Sequence, residues 1–347
     1  MPPRPDPPPL GAVLIARDEA RVLRRALPSV TTVTRLLHLH DTGSADGTVA
    51  AARAAGATVS SAPWPDDFAA ARNAALAGAA QAWGSLPGWV LSVDADNIVE
   101  ADTAALTAAL AASPHAVLTV DIDNAANPRD PGTSAYTCTE ARLFRPAAVV
   151  WQGRVHERLV PPAGGRVGVG HLPRTVLRLR HDGYDTVERR AAKCARNVLL
   201  AFADLADPAV QADPVRRVRT QLDAARSLVG AGRRDDAVTL LETIRRESPG
   251  TRQALYATDQ LARLCLGAGD DAAALELVGD MRRRGARPDY CAWLECQALV
   301  QLGYVDQAVR LLAVVDEVVD TAGRRYGDAR VREMRELFRQ LQAALAA

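Results

Sequence analysis

Two carboxylates one residue apart, Asp94 and Asp96, follow the apolar run Trp89-Val-Leu-Ser-Val93. Where a strand has just turned, such a pair reaches one divalent cation, and its oxygen-rich shell suits Mg²⁺ or Mn²⁺ better than Zn²⁺. A cation held there bridges a diphosphate. A second group of acids stands in Asp41-Thr-Gly-Ser-Ala-Asp-Gly-Thr48, directly after Leu36-Leu-His-Leu-His40. An aspartate at a strand's carboxyl end, then a glycine turn and a helix start, aims a carboxylate and several backbone N–H groups at one crevice, which suits a nucleotide. Plain capping and turn-making by Asp41 and Asp46 is the alternative reading. His38 and His40 lie two apart and face the same way on a strand, so with Asp41 they imitate a hydrolase metal site. No further histidine follows at matching spacing, and a structural role is expected for both.

The elements that must position these residues show in the hydrophobic pattern. Ala12–Ala16, Leu36–His40, Trp89–Val93 and Ala116–Val120 have strand length and bounded ends. Helix patterns lie between them, from Glu19 to Leu27 before Pro28 and from Gly47 to Ala55 before Gly56. This alternation predicts a βαβ sheet buried on both faces, with ligands outside the carboxyl ends of its strands. After about Thr186 the chain is almost continuous helix pattern. Gly232, Gly269 and Gly303, spaced 37 and 34 residues apart, are each followed five residues later by an alanine: Ala237, Ala274 and Ala308. That period resembles tetratricopeptide repeats, in which a small residue lets paired helices approach closely; an ordinary helical bundle is the alternative. The expected division is a proline-rich tail over 1–9, an α/β domain over 10–200 and a helical repeat domain over 201–347.

Forty-two basic residues against 41 acidic ones remove the electrostatic basis for non-specific binding to nucleic acid or anionic membrane. Five cysteines without a C-x-x-C pair fit a reducing compartment and read as small buried hydrophobes. Met1–Pro9 holds six prolines and no apolar core, so neither a signal peptide nor a helix is expected there, only disorder. The uncharged run Thr103–Val120 is too weakly apolar to span a bilayer. These features predict a cytoplasmic protein with no nucleic-acid partner and no membrane span.

Taken in order, Ile15-Ala-Arg-Asp-Glu19, Asp41-Thr-Gly-Ser-Ala-Asp-Gly-Thr48, Trp64-Pro-Asp-Asp-Phe-Ala-Ala-Ala-Arg-Asn73 and Asp94-Ala-Asp96 resemble family 2 glycosyltransferases of the GT-A fold. The resemblance spans about residues 10 to 200 and continues through Arg142-Leu-Phe-Arg145, Trp151-Gln-Gly-Arg-Val-His-Glu157 and His181-Asp-Gly-Tyr184. A subset of that family also carries C-terminal tetratricopeptide-like helices. The resemblance implies a GT-A nucleotide-sugar-binding domain with a mixed, mainly parallel sheet, followed by an all-α repeat domain. It implies inverting, metal-dependent transfer of a sugar from a nucleotide sugar, first of all a UDP-sugar, to a hydroxyl or thiol acceptor. The acceptor would be a peptide, a protein or a small molecule, and the repeats would hold it or form a homodimer.

By the same resemblance Glu19 and Asp41 contact the uracil or ribose, Arg72 lies near the nucleotide or diphosphate, and Asp94 faces the ribose. Asp96 and His181 hold a divalent metal, Mn²⁺ or Mg²⁺. Glu157 stands near the place of the general base, with His156 as the other candidate. On a strand the two point to opposite faces, and Glu157 is preferred. Trp151 stacks on a sugar or joins the core, and Trp64 and Tyr184 flank the same region. Two positions depart from the family pattern: Arg17-Asp18 stands where lysine and asparagine are more usual, and Asn97 where another acid often follows. Two other classes compete: a non-catalytic nucleotide-sugar-binding platform for the helical repeats, and a nucleotidyltransferase. The latter needs a glycine-rich basic loop after the first strand, which Arg17-Asp-Glu-Ala-Arg21 is not.

Overall fold

The computed structural model describes residues 10–127, 134–181 and 187–346, so the proline-rich segment 1–9 and Tyr184 lie outside the described residues. The chain divides into two compact units, one of residues up to Ala125 with Cys138–Tyr184, the other of Ala126–Thr137 with Asp185–Ala347.

In the first unit the strands are β1 (Leu10–Ala16), β2 (Leu36–Asp41), β3 (Thr58–Ser61), β4 (Trp89–Ser92), β5 (Asn97–Ala101), β6 (Val117–Asn124), β7 (Tyr136–Phe144), β8 (Val150–Gln152), β9 (Arg158–Val160), β10 (Val169–His171) and β11 (Leu177–His181). The helices are α1 (Ala20–Val30), α2 (Thr48–Ala54), α3 (Phe68–Trp83) and α4 (Thr103–Ala112). The main sheet runs β3-β2-β1-β4-β7-β6-β11-β5. Strands β3, β2, β1 and β4 are parallel neighbours, β7 runs antiparallel to β4, and β11 is parallel to β6 but antiparallel to β5. The α/β sheet expected from the alternation is present, and it is mixed and mainly parallel, as the resemblance implies. Strands β8 and β9 form a separate antiparallel pair.

Alternation along β1 serves two faces at once. Leu10, Ala12, Leu14 and Ala16 pack with Leu23 and Leu27 of α1 and with Leu106 and Leu110 of α4, while Val13 packs with Ala69, Leu76 and Ala79 of α3. One boundary differs from expectation. Pro28 lies inside α1, which continues to Val30. Proline there forfeits only the bond to the carbonyl of residue 24, and both residues face water near the helix end.

Helix α3 starts at Asp67, whose carboxylate accepts from Ala70 N (2.8 Å), and stops at Gly84 in the left-handed region. Its Gly78 sits against β2 and β3: a Cβ at that position would meet Ser60 Oγ at 2.5 Å and His38 Nε2 at 2.7 Å. The two histidines of β2 are structural. His38 bonds Thr58 and Ser60 (2.8 Å each), and His40 bonds Ser60 (2.8 Å). Burial, aided by the neighbouring His40, lowers the His38 imidazole to about 4, and burial lowers His40 against the pull of Asp41.

The second unit holds α5 (Val187–Leu205), α6 (Pro208–Ala212), α7 (Pro214–Gly230), α8 (Arg234–Glu247), α9 (Arg252–Ala268), α10 (Asp271–Arg283), α11 (Pro288–Gln301), α12 (Val305–Ala313) and α13 (Asp328–Ala346). From α7 to α13 each helix packs on the next. Gly232, Gly269 and Gly303 turn the chain between helices with φ of 78°, 77° and 87°, and Ala237, Ala274 and Ala308 are each 0% exposed. At each of the three positions the period therefore marks a left-handed turn followed by a fully buried alanine. The region is helical apart from a short hairpin, β12 (Val318–Val319) with β13 (Arg325–Tyr326), which the helix pattern did not predict. A buried polar knot secures it: Arg263 donates to Asp259 (2.9 Å) and Asp320 (2.9 Å), Tyr290 donates to Asp259 (2.6 Å), and Thr321 also donates to Asp259. No helix among the described residues is long and apolar enough to cross a membrane.

Gly78→Ala, although it favours the helix locally, is expected to destabilise the first unit by about 1–3 kcal/mol through overpacking against Ser60 and His38, measured by urea unfolding. Because the folded His38 imidazole titrates below its ordinary value, the unfolded chain takes up that proton first. The associated stability, about 3 kcal/mol, is complete above about pH 6.5 and is lost as the pH falls toward 4. His38→Gln should flatten that limb of the stability curve.

Candidate active site

Parallel pairing of β1 with β2 aligns Ala16 with Asp41, so the loops that follow the two strands lie side by side. They are laced together. Asp18 N donates to Ser44 Oγ (2.9 Å), Ala45 N to Asp18 (2.7 Å), Glu19 N to Thr48 Oγ1 (2.8 Å), and Ala20 N to Asp46 (3.1 Å). The Thr48 hydroxyl holds the Asp46 carboxyl below its ordinary range. The buried Asp41 carboxylate accepts from Gly43 N (3.3 Å) and Ser44 N (3.2 Å), the turn-making role of such an aspartate. Glu19 stands half-buried at the start of α1 on the neighbouring strand tip.

Next to β1, β4 ends at Ser92, and a tight turn carries Asp94 and Asp96. Asn97 closes that turn: its side chain accepts from Asp94 N (3.0 Å) and its N–H donates to Asp94 O (3.1 Å). Asp94 lies between two arginines. Arg72 of α3 donates to Oδ1 (2.9 Å), and Arg142 of β7 donates to Oδ2 (2.7 Å) and to Glu140 (2.7 Å). Crowding by the protein alone would raise the Asp94 carboxyl, but Arg142 and Arg72 outweigh it and hold the group far below the carboxylate range. Asp94 is therefore a fixed anion whose side chain keeps 36% of its surface open.

Arg72 is 8% exposed, and each of its nitrogens has a protein partner. Nε donates to Glu157 Oε1, Nη1 to Ser92 Oγ (2.9 Å) and Nη2 to Asp94. Three of its five N–H donors are thus used within the protein. Burial would lower its pKa, but Glu157 and Asp94 raise it above the ordinary value. Glu157 and His156 occupy the loop between β8 and β9 rather than a strand, so the expected alternation of faces does not apply to them. The loop turns through two residues with positive φ, Gly153 at 106° and His156 at 52°, the latter in the left-handed region. Trp151 is 7% exposed: its ring packs edge-on against Phe144 (5.6 Å) and 5.1 Å from the Arg72 guanidinium. It is core, with no open face for a sugar. Asn73 fixes it there, donating to Trp151 O (3.0 Å) and accepting from Trp151 N (3.1 Å). Trp64 packs edge-on against Phe68 at the start of α3 (4.8 Å).

Asp96 Oδ1 and His181 Nδ1 stand 3.4 Å apart, with both side chains partly open to solvent. The antiparallel pairing of β11 with β5 brings them together, since it sets His181 opposite Asn97. One carboxylate oxygen beside one imidazole nitrogen makes two donors, fewer than a metal shell needs, and among the described residues no group of three or more His, Cys, Asp or Glu side chains forms. Sequence reasoning gave no role to Arg142, Ser92 or Asn73. The signal for Arg142 was present: an arginine in the apolar stretch Ala141–Phe144 must find a counter-charge.

No protein-family model matches the chain. A tetratricopeptide repeat-containing protein of Synechococcus elongatus is 46% identical over 92 residues, 26% of this chain and 21% of that protein, so the chain spans about a fifth of the relative's length. Among solved structures, glucosyl-3-phosphoglycerate synthase from Mycobacterium tuberculosis in complex with Mn²⁺ and UDP-glucose is 14% identical, with a TM-score of 0.35 over 56% of this chain and 77% of that one. A mycobacterial protein is 16% identical with a TM-score of 0.37 over 56% and 73%. A MamA structure is 17% identical with a TM-score of 0.29 over 37% and 70%. These superpositions are too loose to transfer a role to any residue.

The left-handed backbone at His156 gives a stability test that is independent of activity. His156→Gly and His156→Val both remove the imidazole, and the valine variant is expected to be less stable by about 1–3 kcal/mol in urea unfolding, because a β-branched side chain disfavours that conformation.

Proposed function

We propose that this chain is an inverting, metal-dependent glycosyltransferase that moves a sugar from a nucleotide sugar, first of all a UDP-sugar, to a hydroxyl or thiol acceptor. The observation that carries the reading is that around the turn after β4 Asp94 shares Arg72 with Glu157 while Asp96 stands 3.4 Å from His181. The order of motifs that resembles family 2 glycosyltransferases supports it.

In this reading Glu19, Asp41 and Asp94 form the nucleoside side of the crevice. Asp94, kept ionised by its two arginines, accepts hydrogen bonds from sugar or ribose hydroxyls. Asp96 and His181 would hold the divalent cation, which supplies neutralisation of charge on the departing diphosphate. Glu157 takes the acceptor's proton as its oxygen or sulfur bonds to C1 and the bond from C1 to the diphosphate breaks. His156 then serves as the residue that turns Glu157 inward. The helical repeats hold the acceptor, and a peptide or protein suits a surface of stacked helices.

The test is UDP released from a panel of UDP-sugars with Mn²⁺ or Mg²⁺, without acceptor. Slow, metal-dependent release is expected, falling at least about a hundredfold in Asp96→Ala. Undiminished turnover in Asp96→Ala overturns the metal assignment. Nucleotide-sugar binding without turnover, even with acceptors, identifies a platform instead, and pyrophosphate formed from a nucleoside triphosphate and a sugar phosphate identifies a nucleotidyltransferase.

A further inference from the structure

Glu157 does not belong to the main sheet. It lies in the loop of the separate β8–β9 pair, whereas Ser92 and Asp94 stand at the end of β4. One planar group spans the two. The Arg72 guanidinium presents Nε to Glu157, Nη1 to Ser92 (2.9 Å) and Nη2 to Asp94 (2.9 Å), so the spacing of its nitrogens sets where the two carboxylates stand relative to each other. The group is held on its other side as well. The Trp151 ring lies 5.1 Å from it, and Asn73, the next residue on α3, bonds both backbone groups of Trp151.

The two carboxylates depend on Arg72 unequally. Asp94 keeps a second arginine, Arg142, at 2.7 Å, whereas Arg72 is the cation paired with Glu157 among the described residues. We infer that Arg72 is a positioning residue that registers the Glu157 loop against the tip of β4, so that its loss falls on the proton-accepting step and leaves donor binding in place. The inference rests on the proposed glycosyl transfer and adds to it the residue that sets the base in reach of the acceptor. A lysine retains the charge but has a single head group, which cannot meet three partners in one plane.

The test compares Arg72→Lys, Ser92→Ala and Glu157→Gln, singly and with each of the first two combined with Glu157→Gln, by steady-state UDP release with Mn²⁺ and an active UDP-sugar. Ser92→Ala serves because it removes one anchor of Arg72 without touching Glu157 or Asp94, and it reports even if Arg72→Lys fails to fold. Arg72→Lys should lower kcat about a hundredfold and Ser92→Ala about tenfold, the scale of a displaced reacting group, with the donor KM within about threefold of wild type. In the Glu157→Gln background neither substitution should lower kcat by more than about threefold. Losses that multiply in the double variants, or that appear in the donor KM instead of kcat, overturn the positioning role. A wild-type protein that binds UDP-sugar and Mn²⁺ but releases no UDP overturns the underlying reading of the site instead.

Discussion

A carboxylate withdrawn from bulk water needs cationic partners within hydrogen-bond reach, and a buried arginine needs anionic ones. Around the end of β4 both needs are met by one chain of contacts, Glu140–Arg142–Asp94–Arg72–Glu157. Its members come from β7, the turn after β4, α3 and the β8–β9 loop. Arg72 and Arg142 are buried, so removing the carboxylate that compensates one of them typically costs about 3–5 kcal/mol, whereas Glu140 stands half open to water and contributes less. The same contacts join separate elements of the first unit, so satisfying the charges and assembling the crevice are one event.

Much of this arrangement was legible because it depends on short-range pattern. The apolar runs before Asp41 and Asp94 mark strands that are parallel neighbours of β1, and the carboxyl ends of such strands lie on one edge. The glycine–alanine period was legible for a similar reason: one turn conformation and one close contact leave a fixed offset of five residues wherever they recur. His38 and His40 read as structural from the absence of a third ligand, and their bonds to Thr58 and Ser60 agree.

What stayed illegible depends on long-range register. Arg142 reaches Asp94 because β7 pairs antiparallel with β4, setting Leu143 against Leu91 and Phe144 against Val90, which carries the next residue back along β7 toward the tip of β4. A slip of one residue would turn Arg142 to the opposite face. Trp151 is core because Asn73, 78 positions earlier, seizes its backbone. Glu157 faces Arg72 from a loop because His156 adopts a left-handed conformation that no spacing rule anticipates for histidine. Pro28 stays within α1 because its cost falls on an exposed carbonyl near the helix end, a circumstance the residue type alone does not convey.

Asp94 and Asp96 show how far environment, rather than residue type, divides labour. They share one turn and one chemistry. Asp94 points between two guanidiniums, where its charge is spent on the protein and a further cation would sit close to Arg72 and Arg142. Asp96 points toward His181, a group that donates to a metal when neutral and sits 3.4 Å away. The two aspartates of one turn thus differ in partner, two guanidiniums for Asp94 and an imidazole for Asp96. Under the proposed transfer that difference leaves Asp96, beside His181, as the group that would meet a divalent cation, and Asp94 as the one that would accept from hydroxyl groups of the donor.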